Sequence, residues 1–238
     1  MNIDLILNVI LSLIAVFMAI VFHEVAHGFV AAKLGDPTAK TAGRLSLNPL
    51  VHVDPIGTIL VPAMLAIMQL IVPTARPVFF GWAKPVPVNP NYFKNPFRGM
   101  LLVALAGPGT NLALGCVAAL VGRVIFLAVP NLGMTIATEP GLASNALHAI
   151  FYVLGMFVMY SVLLAVFNMI PIPPLDGSRV LTYFLPPKGR RFMISLERYG
   201  FILLIAVIYF GGLDFIFMGI NPVCQWLLGG EWLFAMFG

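Results

Sequence analysis

The chain has 238 residues, 61% of them hydrophobic and 9% charged, with a formal net charge of +4. A soluble domain carries roughly 25% charged residues, so this chain has too few to clothe a globular surface in water, and its mean hydropathy of +1.00 makes lipid the natural solvent for most of it. Its basic residues sit in loops between apolar runs, a topology signal and not a nucleic-acid patch, and two cysteines, Cys116 and Cys224, give neither a disulfide framework nor a CxxC metal spacing.

A spanning helix needs about 20 mostly apolar residues. The first predicted span runs from about Leu5 to Lys33. No basic residue precedes it and it continues into His23, Glu24 and His27, so it reads as a retained transmembrane helix and not as a signal peptide. Gly35, Asp36 and Pro37 stop it. In the polar stretch that follows, residues 38–47 alternate enough to predict a short strand or hairpin. An apolar run from Ile56 to Val72, interrupted by Pro62 and ended by Pro73, lies at the lower limit for a span. Residues 77–98 are Pro-rich and carry Trp82, Tyr92, Phe93 and Phe97, a composition suited to the membrane interface. Spans follow at about Gly99–Val129 and Asn145–Ile170, the second broken by Pro171, Pro173 and Pro174. A basic loop with Lys188, Arg190, Arg191 and Arg198 precedes the last clear span, Tyr199–Ile220, and the tail Val223–Gly238 reads as interfacial or as dipping into the membrane. The expected fold is all-α and polytopic, with about four to six membrane segments and a small β-hairpin or re-entrant element after the first helix. It forms a single domain over residues 1–238, with its core at 5–180 and C-terminal membrane segments at 199–238.

The basic residues also orient the chain. Lys33, Lys40 and Arg44 follow the first span and none precedes it, which puts the N-terminus outside and the Lys33 end in the cytoplasm. Lys94, Arg98 and the basic loop at 188–198 join that side if Ile56–Val72 leaves and returns on one face, so the re-entrant reading is preferred. The competing reading makes Ile56–Val72 a full span and puts Pro73–Arg98 outside. Glu139 and His148 alone mark the loop before Asn145, which suits the outside.

Three motifs carry chemistry. In His23-Glu24-Val25-Ala26-His27, positions i and i+4 share a helix face, where two imidazoles can hold one zinc. Glu24 stands beside a ligand without being one, placed to act as general base on water at the metal. Three ionisable groups within five residues of an apolar helix are too costly to be there for packing. A catalytic zinc takes three protein ligands and an open position. Asp176, in the proline-broken run from Asn168 to Gly177, reads equally as the third ligand or as an Asp-Gly turn. Gly107-Pro108-Gly109-Thr110-Asn111 lies inside the Gly99 span and permits close backbone approach. Asn111 there could steady a substrate carbonyl, or be satisfied by a neighbour in a helix–helix notch. The three motifs fall at similar depth near the cytoplasmic face, since each lies within about three turns of a basic residue.

HEVAH, GPGTN and NMIPIPPLDG, in this order on three hydrophobic segments, resemble the site-2 protease family of intramembrane zinc metalloproteases. The run from Gly43 to Gly57 and the Gly81–Val88 stretch resemble its compact bacterial and archaeal branch. The resemblance implies one zinc per chain bound by His23, His27 and Asp176, water activation by Glu24, substrate positioning by Asn111, and a place for Asn168 in the same site. It implies a prokaryotic cell membrane and transmembrane proteins as substrates, cut within or near their membrane segments in regulated intramembrane proteolysis. The lipid bilayer is the other expected partner, nucleic acid is not, and oligomeric state is left open. The chain departs from larger members in having no room for a PDZ domain at 130–144 and no nucleotide-sensing CBS domain at its C-terminus.

Two further expectations concern access. A substrate helix must unwind before it is cut, and the strand-like 38–47 segment is expected to pair with it by β-augmentation. His52, with Asp54, is expected at the entrance, either as a gate or fourth ligand or as a loop histidine held by a carbonyl. A membrane metal transporter or sensor would use the same ligands without hydrolysis, but would have no need of Glu24, and a pseudo-protease would have no need of the complete set.

Overall fold

The computed structural model describes residues 3–71, 81–129, 131–138 and 141–237. Helix α1 spans Ile3–Lys33. A one-turn helix α2 (Thr38–Thr41), a 3₁₀ turn at Pro49–His52 and a wide π-type turn at Pro55–Leu60 lead into α3 (Val61–Ile71). After an extended run and a 3₁₀ turn at Pro90–Tyr92 come α4 (Pro96–Ala128), α5 (Leu132–Thr138) and α6 (Leu142–Asn168). The chain ends in α7 (Asp176–Phe184), α8 (Pro187–Leu196), α9 (Gly200–Tyr209), α10 (Gly212–Leu228) and α11 (Gly230–Phe237). Among the described residues, four helices are long and apolar enough to cross a membrane: Ile6–Lys33, Pro96–Ala128, Leu142–Asn168 and Pro187–Tyr209.

The bundle core is α1, α4 and α6, each packed on the other two. Its logic is a four-residue repeat. On α1 the buried ridge is Ala15, Ala19, His23, His27 and Ala31, and on α4 it is Gly99, Val103, Gly107, Asn111, Gly115 and Ala119. Small residues four apart let two helices approach closely where lipid gives no hydrophobic drive to associate. Ala15 and Ala19 seat Phe157 of α6, and Gly115 lies against Ser161 of the same helix. Outside these ridges, Leu7, Val9, Ile10 and Leu13 of α1 are exposed, as lipid-facing side chains are.

The predicted hairpin at residues 38–47 is not formed, and no strand occurs among the described residues. Asp36 and Pro37 are a helix-start signal. The Asp36 carboxylate accepts from the Thr38 N–H at 2.9 Å and from its hydroxyl. Gly43, at φ +66°, then closes the turn, with the Arg44 N–H bonding back to the Ala39 carbonyl at 2.9 Å. These caps outweigh a few residues of alternation.

The excursion after residue 57 begins and ends in one place. Trp82 N–H donates to the Gly57 carbonyl at 3.1 Å, Lys84 N–H to His52 at 2.9 Å, and the Thr58 hydroxyl to the Trp82 carbonyl at 2.9 Å. Helix α3, at about 16 Å, is too short to cross a hydrocarbon core of about 30 Å. The bonds joining 57–58 to 82 bring the two ends of the excursion together, as the preferred re-entrant reading expects. The expected Pro73 stop, the start of the Pro-rich stretch at Pro77, and Glu139 lie outside the described residues.

The predicted last span, Tyr199–Ile220, is broken. Gly211 adopts φ +84° between α9 and α10, and the fourth apolar stretch runs from Pro187 to Tyr209 instead. Hydropathy does not register a left-handed glycine. The tail is a packed element: Trp232 of α11 is buried above Gly122 and donates its indole N–H to the Phe151 carbonyl at 3.0 Å.

Candidate metal centre

His23 and His27 stand one turn apart on the buried ridge of α1, ring centroids 4.6 Å apart and nearly perpendicular. Asp176 opens α7. Gly177 beside it lies so close to the carbonyls of Met169 and Ile170 that no side chain fits there, so the turn that follows α6 packs directly on the start of α7, and α7 lies against α4. The carboxylate is thereby carried to α1: Asp176 Oδ2 lies 3.1 Å from His23 Nε2 and 3.2 Å from His27 Nε2. Donors about 2 Å from a tetrahedral zinc are about 3.3 Å apart, and these separations agree.

The donor set fits a cation on chemical grounds as well. His27 Nδ1 donates to the Val103 carbonyl at 2.7 Å, which leaves the Nε2 lone pair facing the cluster. A second imidazole and a carboxylate oxygen are aimed at the same point, and all three ligand atoms lie within 4.8 Å of one another. Two lone pairs and a carboxylate converging in a buried site call for a positive charge between them. Two histidines, one aspartate and an open fourth position make a catalytic type of zinc site.

Helix α4 forms the wall. A Cβ built on Gly107 would lie 2.6 Å from Cε1 and Nε2 of His23 and from Cε1 of His27, so only glycine allows the backbone this near the rings. Asn111 follows one turn later on the same ridge, fully buried, with neither amide atom hydrogen-bonded. Helical side chains lean toward the preceding turn, so its amide leans toward the gap at Gly107. Glu24 is half-buried, and its Oε2 accepts from the Val86 N–H at 2.9 Å.

Other sequence candidates lie elsewhere. Asn168 closes α6, with its Nδ2 donating to the Leu164 carbonyl at 2.9 Å. His52 is fully buried, Nε2 donating to the Ser46 carbonyl at 2.8 Å, and it does not belong to the three-residue cluster. His148 stacks on Tyr152. Sequence reasoning missed Val86, and also Asp36 and Arg44, which hold the extended run containing it. The legible signal was Pro85-Val86-Pro87-Val88, in which alternate residues have no N–H to give.

A family model described as Peptidase family M50 matches residues 11–207. A Bacillus subtilis protein named as a candidate zinc metalloprotease, YwhC, is 37% identical over 194 residues, 82% of this chain and 78% of its own. Rip2 of Mycolicibacterium smegmatis, named likewise, is 30% identical over 193 residues, 80% of this chain and 63% of its own. A third such relative, MJ0611 of Methanocaldococcus jannaschii, is 33% identical over 179 residues, 75% of this chain and 72% of its own. No solved structure gives a significant match.

Proposed function

The chain belongs to peptidase family M50 and is a zinc metalloprotease of the membrane, and on that premise we propose that it cuts peptide bonds within or beside the transmembrane segments of other membrane proteins. One observation carries the reading: a buried His23–His27–Asp176 cluster with Glu24 next to it, inside a lipid-facing bundle. Regulated intramembrane proteolysis is the process this serves, and residues 1–238 act in it as one domain.

His23, His27 and Asp176 are the residues that would hold zinc, which when bound supplies a charge that polarises a scissile carbonyl and eases deprotonation of water. Glu24 takes the proton from the attacking water and later delivers it to the leaving amide nitrogen. The new C–O bond forms first, with the carbonyl electron pair moving onto oxygen, and the C–N bond then breaks as the nitrogen takes the proton, giving a carboxylate and an amine. Asn111, with an uncommitted amide, donates to the carbonyl oxygen as charge grows on it. His27 keeps its tautomer through Val103. Asn168 and His52 have weaker claims: Asn168 closes the helix that leads to Asp176, and His52 supports the loop at the entrance.

The basic residues at the helix ends support a site reached from the cytoplasmic side of a cell membrane. At 1.5 Å per residue, His23 lies about 15 Å from Lys33 and Gly107 about 14 Å from Arg98, roughly halfway into the hydrocarbon core. Water must therefore reach it from the basic face.

The test is cleavage of single-span model peptides by purified protein, beside Glu24→Gln, with zinc measured in both. The expected result is a fall in kcat of about 10³ or more in Glu24→Gln with zinc retained. Equal cleavage by both proteins would remove Glu24 from the mechanism. Bound zinc without cleavage of any peptide would favour metal handling over proteolysis.

A further inference from the structure

We infer that the backbone N–H of Val86 is a positioning group for Glu24: it holds one carboxylate oxygen so that the other is presented to the His23–His27–Asp176 cluster. The inference rests on the reading of Glu24 as the base.

The contact is built and not incidental. Val86 is buried, and its N–H meets Glu24 Oε2 at 2.9 Å. Pro85 and Pro87 on either side have no N–H, so Val86 alone at this point can donate. The run that carries it has no regular structure, yet it is anchored on both sides. On one side Lys84 N–H donates to His52, and the Arg44 guanidinium donates to the carbonyls of Lys84 and Pro85. On the other, Asn89 N–H donates to Asp36 Oδ2 at 2.7 Å. Arg44 and Asp36 are both buried, so two charged side chains are spent on holding one strap.

The face of α1 under the strap is shaped to receive it. Gly28 lies one turn beyond Glu24 on the same face. A Cβ there would come within 2.9 Å of Val86 Cγ1 and 2.7 Å of Leu45 Cδ2. Glycine at 28 lets the valine side chain settle over α1 while its N–H reaches Glu24.

The effect on Glu24 follows from its freedom. It stands in mid-helix, where α1 has no spare N–H to offer, and its side chain turns about three bonds. A charge-assisted bond from a fixed N–H sets the plane of the carboxylate. Oε2 is then committed, and Oε1 is left for the proton. Holding a reacting group in position before the reaction is a rate effect, not a binding effect.

The test uses zinc-loaded full-length protein in detergent and a fluorescence-quenched single-span peptide rich in Leu, Ala and Gly. Val86→Pro removes the N–H and suits an extended run already flanked by prolines, whereas Val86→Ala trims the side chain and keeps the N–H. The expected result for Val86→Pro is a kcat lower by about ten- to a hundredfold, the worth of a hydrogen bond to a charged group. KM should move less than about twofold with zinc content intact, and Val86→Ala should recover most of the lost kcat. Glu24→Gln is assayed alongside. If it still cleaves, the reading of Glu24 fails. If it is inactive while Val86→Pro matches or exceeds the parent, the positioning inference alone is overturned. Amide exchange gives a second readout that needs neither cleavage nor a folded proline variant. The Val86 amide should be protected in the parent and exchange at least about tenfold faster in Glu24→Ala. Free exchange in the parent, or no change in Glu24→Ala, would overturn the inference.

Discussion

At the scale of residues, the site depends on glycine as much as on its ligands. Gly107→Ala would put a methyl group 2.6 Å from both imidazoles. Zinc affinity is expected to fall about ten- to a hundredfold, as when the surroundings of a metal ligand are disturbed, and competition with a chelator would measure it. Gly109→Ala, with nothing within 4 Å of its built Cβ, should bind zinc like the parent. The sequence made the pair of glycines legible as a close approach but not which one closes on the histidines. That depends on the rotation of α4 against α1, set by the whole ridge from Gly99 to Ala119. The i, i+4 histidines were legible because helix geometry alone puts them on one face. Asp176 was ambiguous because a proline-broken Asp-Gly is also a common turn, and only the packing of α7 on α4 carries it to the histidines. Val86 acts through its backbone, and a backbone N–H leaves no mark in residue identity.

At the scale of elements, the strap and its anchors are the part the sequence concealed. Alternation at residues 38–47 suggested a hairpin, but Asp36 caps a helical turn there and also takes the Asn89 N–H. Burial alone would push the Asp36 carboxyl up. The bonds from the Thr38 hydroxyl, the Asn89 N–H and the Thr38 N–H outweigh it and hold the group below its ordinary value. A depressed value means that Asp36 contributes stability above the unfolded-state value of about 3.9, and that this contribution is lost as pH falls through the lower folded value. Asp36→Asn should therefore destabilise the protein by about 1–3 kcal/mol near pH 6. The gap to the parent should narrow below about pH 4, as thermal unfolding across pH would record. At the other end of the bundle, Trp232 fills the space over Gly122. Trp232→Ala should cost about 3–5 kcal/mol and lower Tm while zinc content stays at the parent level, because α11 contributes nothing to the metal cluster.

At the scale of the whole molecule, hydropathy located three of the long helices within a few residues. It missed the break at Gly211, because conformation and not polarity ends α9. The short Ile56–Val72 run was undecidable from length, and the bonds joining residues 52–58 to 82–84 make it an excursion that returns to its origin. That topology sets a testable orientation. In a Cys116→Ser, Cys224→Ser background, single cysteines at Lys40, Lys94 and Arg190 should all react with an impermeant thiol reagent from the cytoplasmic side of membrane vesicles. One at Asn145 should react from the opposite side. A cysteine at Lys94 labelled with Asn145 would restore the full-span reading.

The claim on which the rest depends is a single zinc held by two histidines and one aspartate. Zinc X-ray absorption on purified protein, with stoichiometry measured in parallel, tests it most directly. The account predicts one zinc per chain, two imidazoles and oxygen donors at about 2.0–2.2 Å with no sulfur, and loss of the metal in Asp176→Ala. A thiolate in the shell, a third imidazole such as His52, or zinc bound as tightly in Asp176→Ala would contradict it.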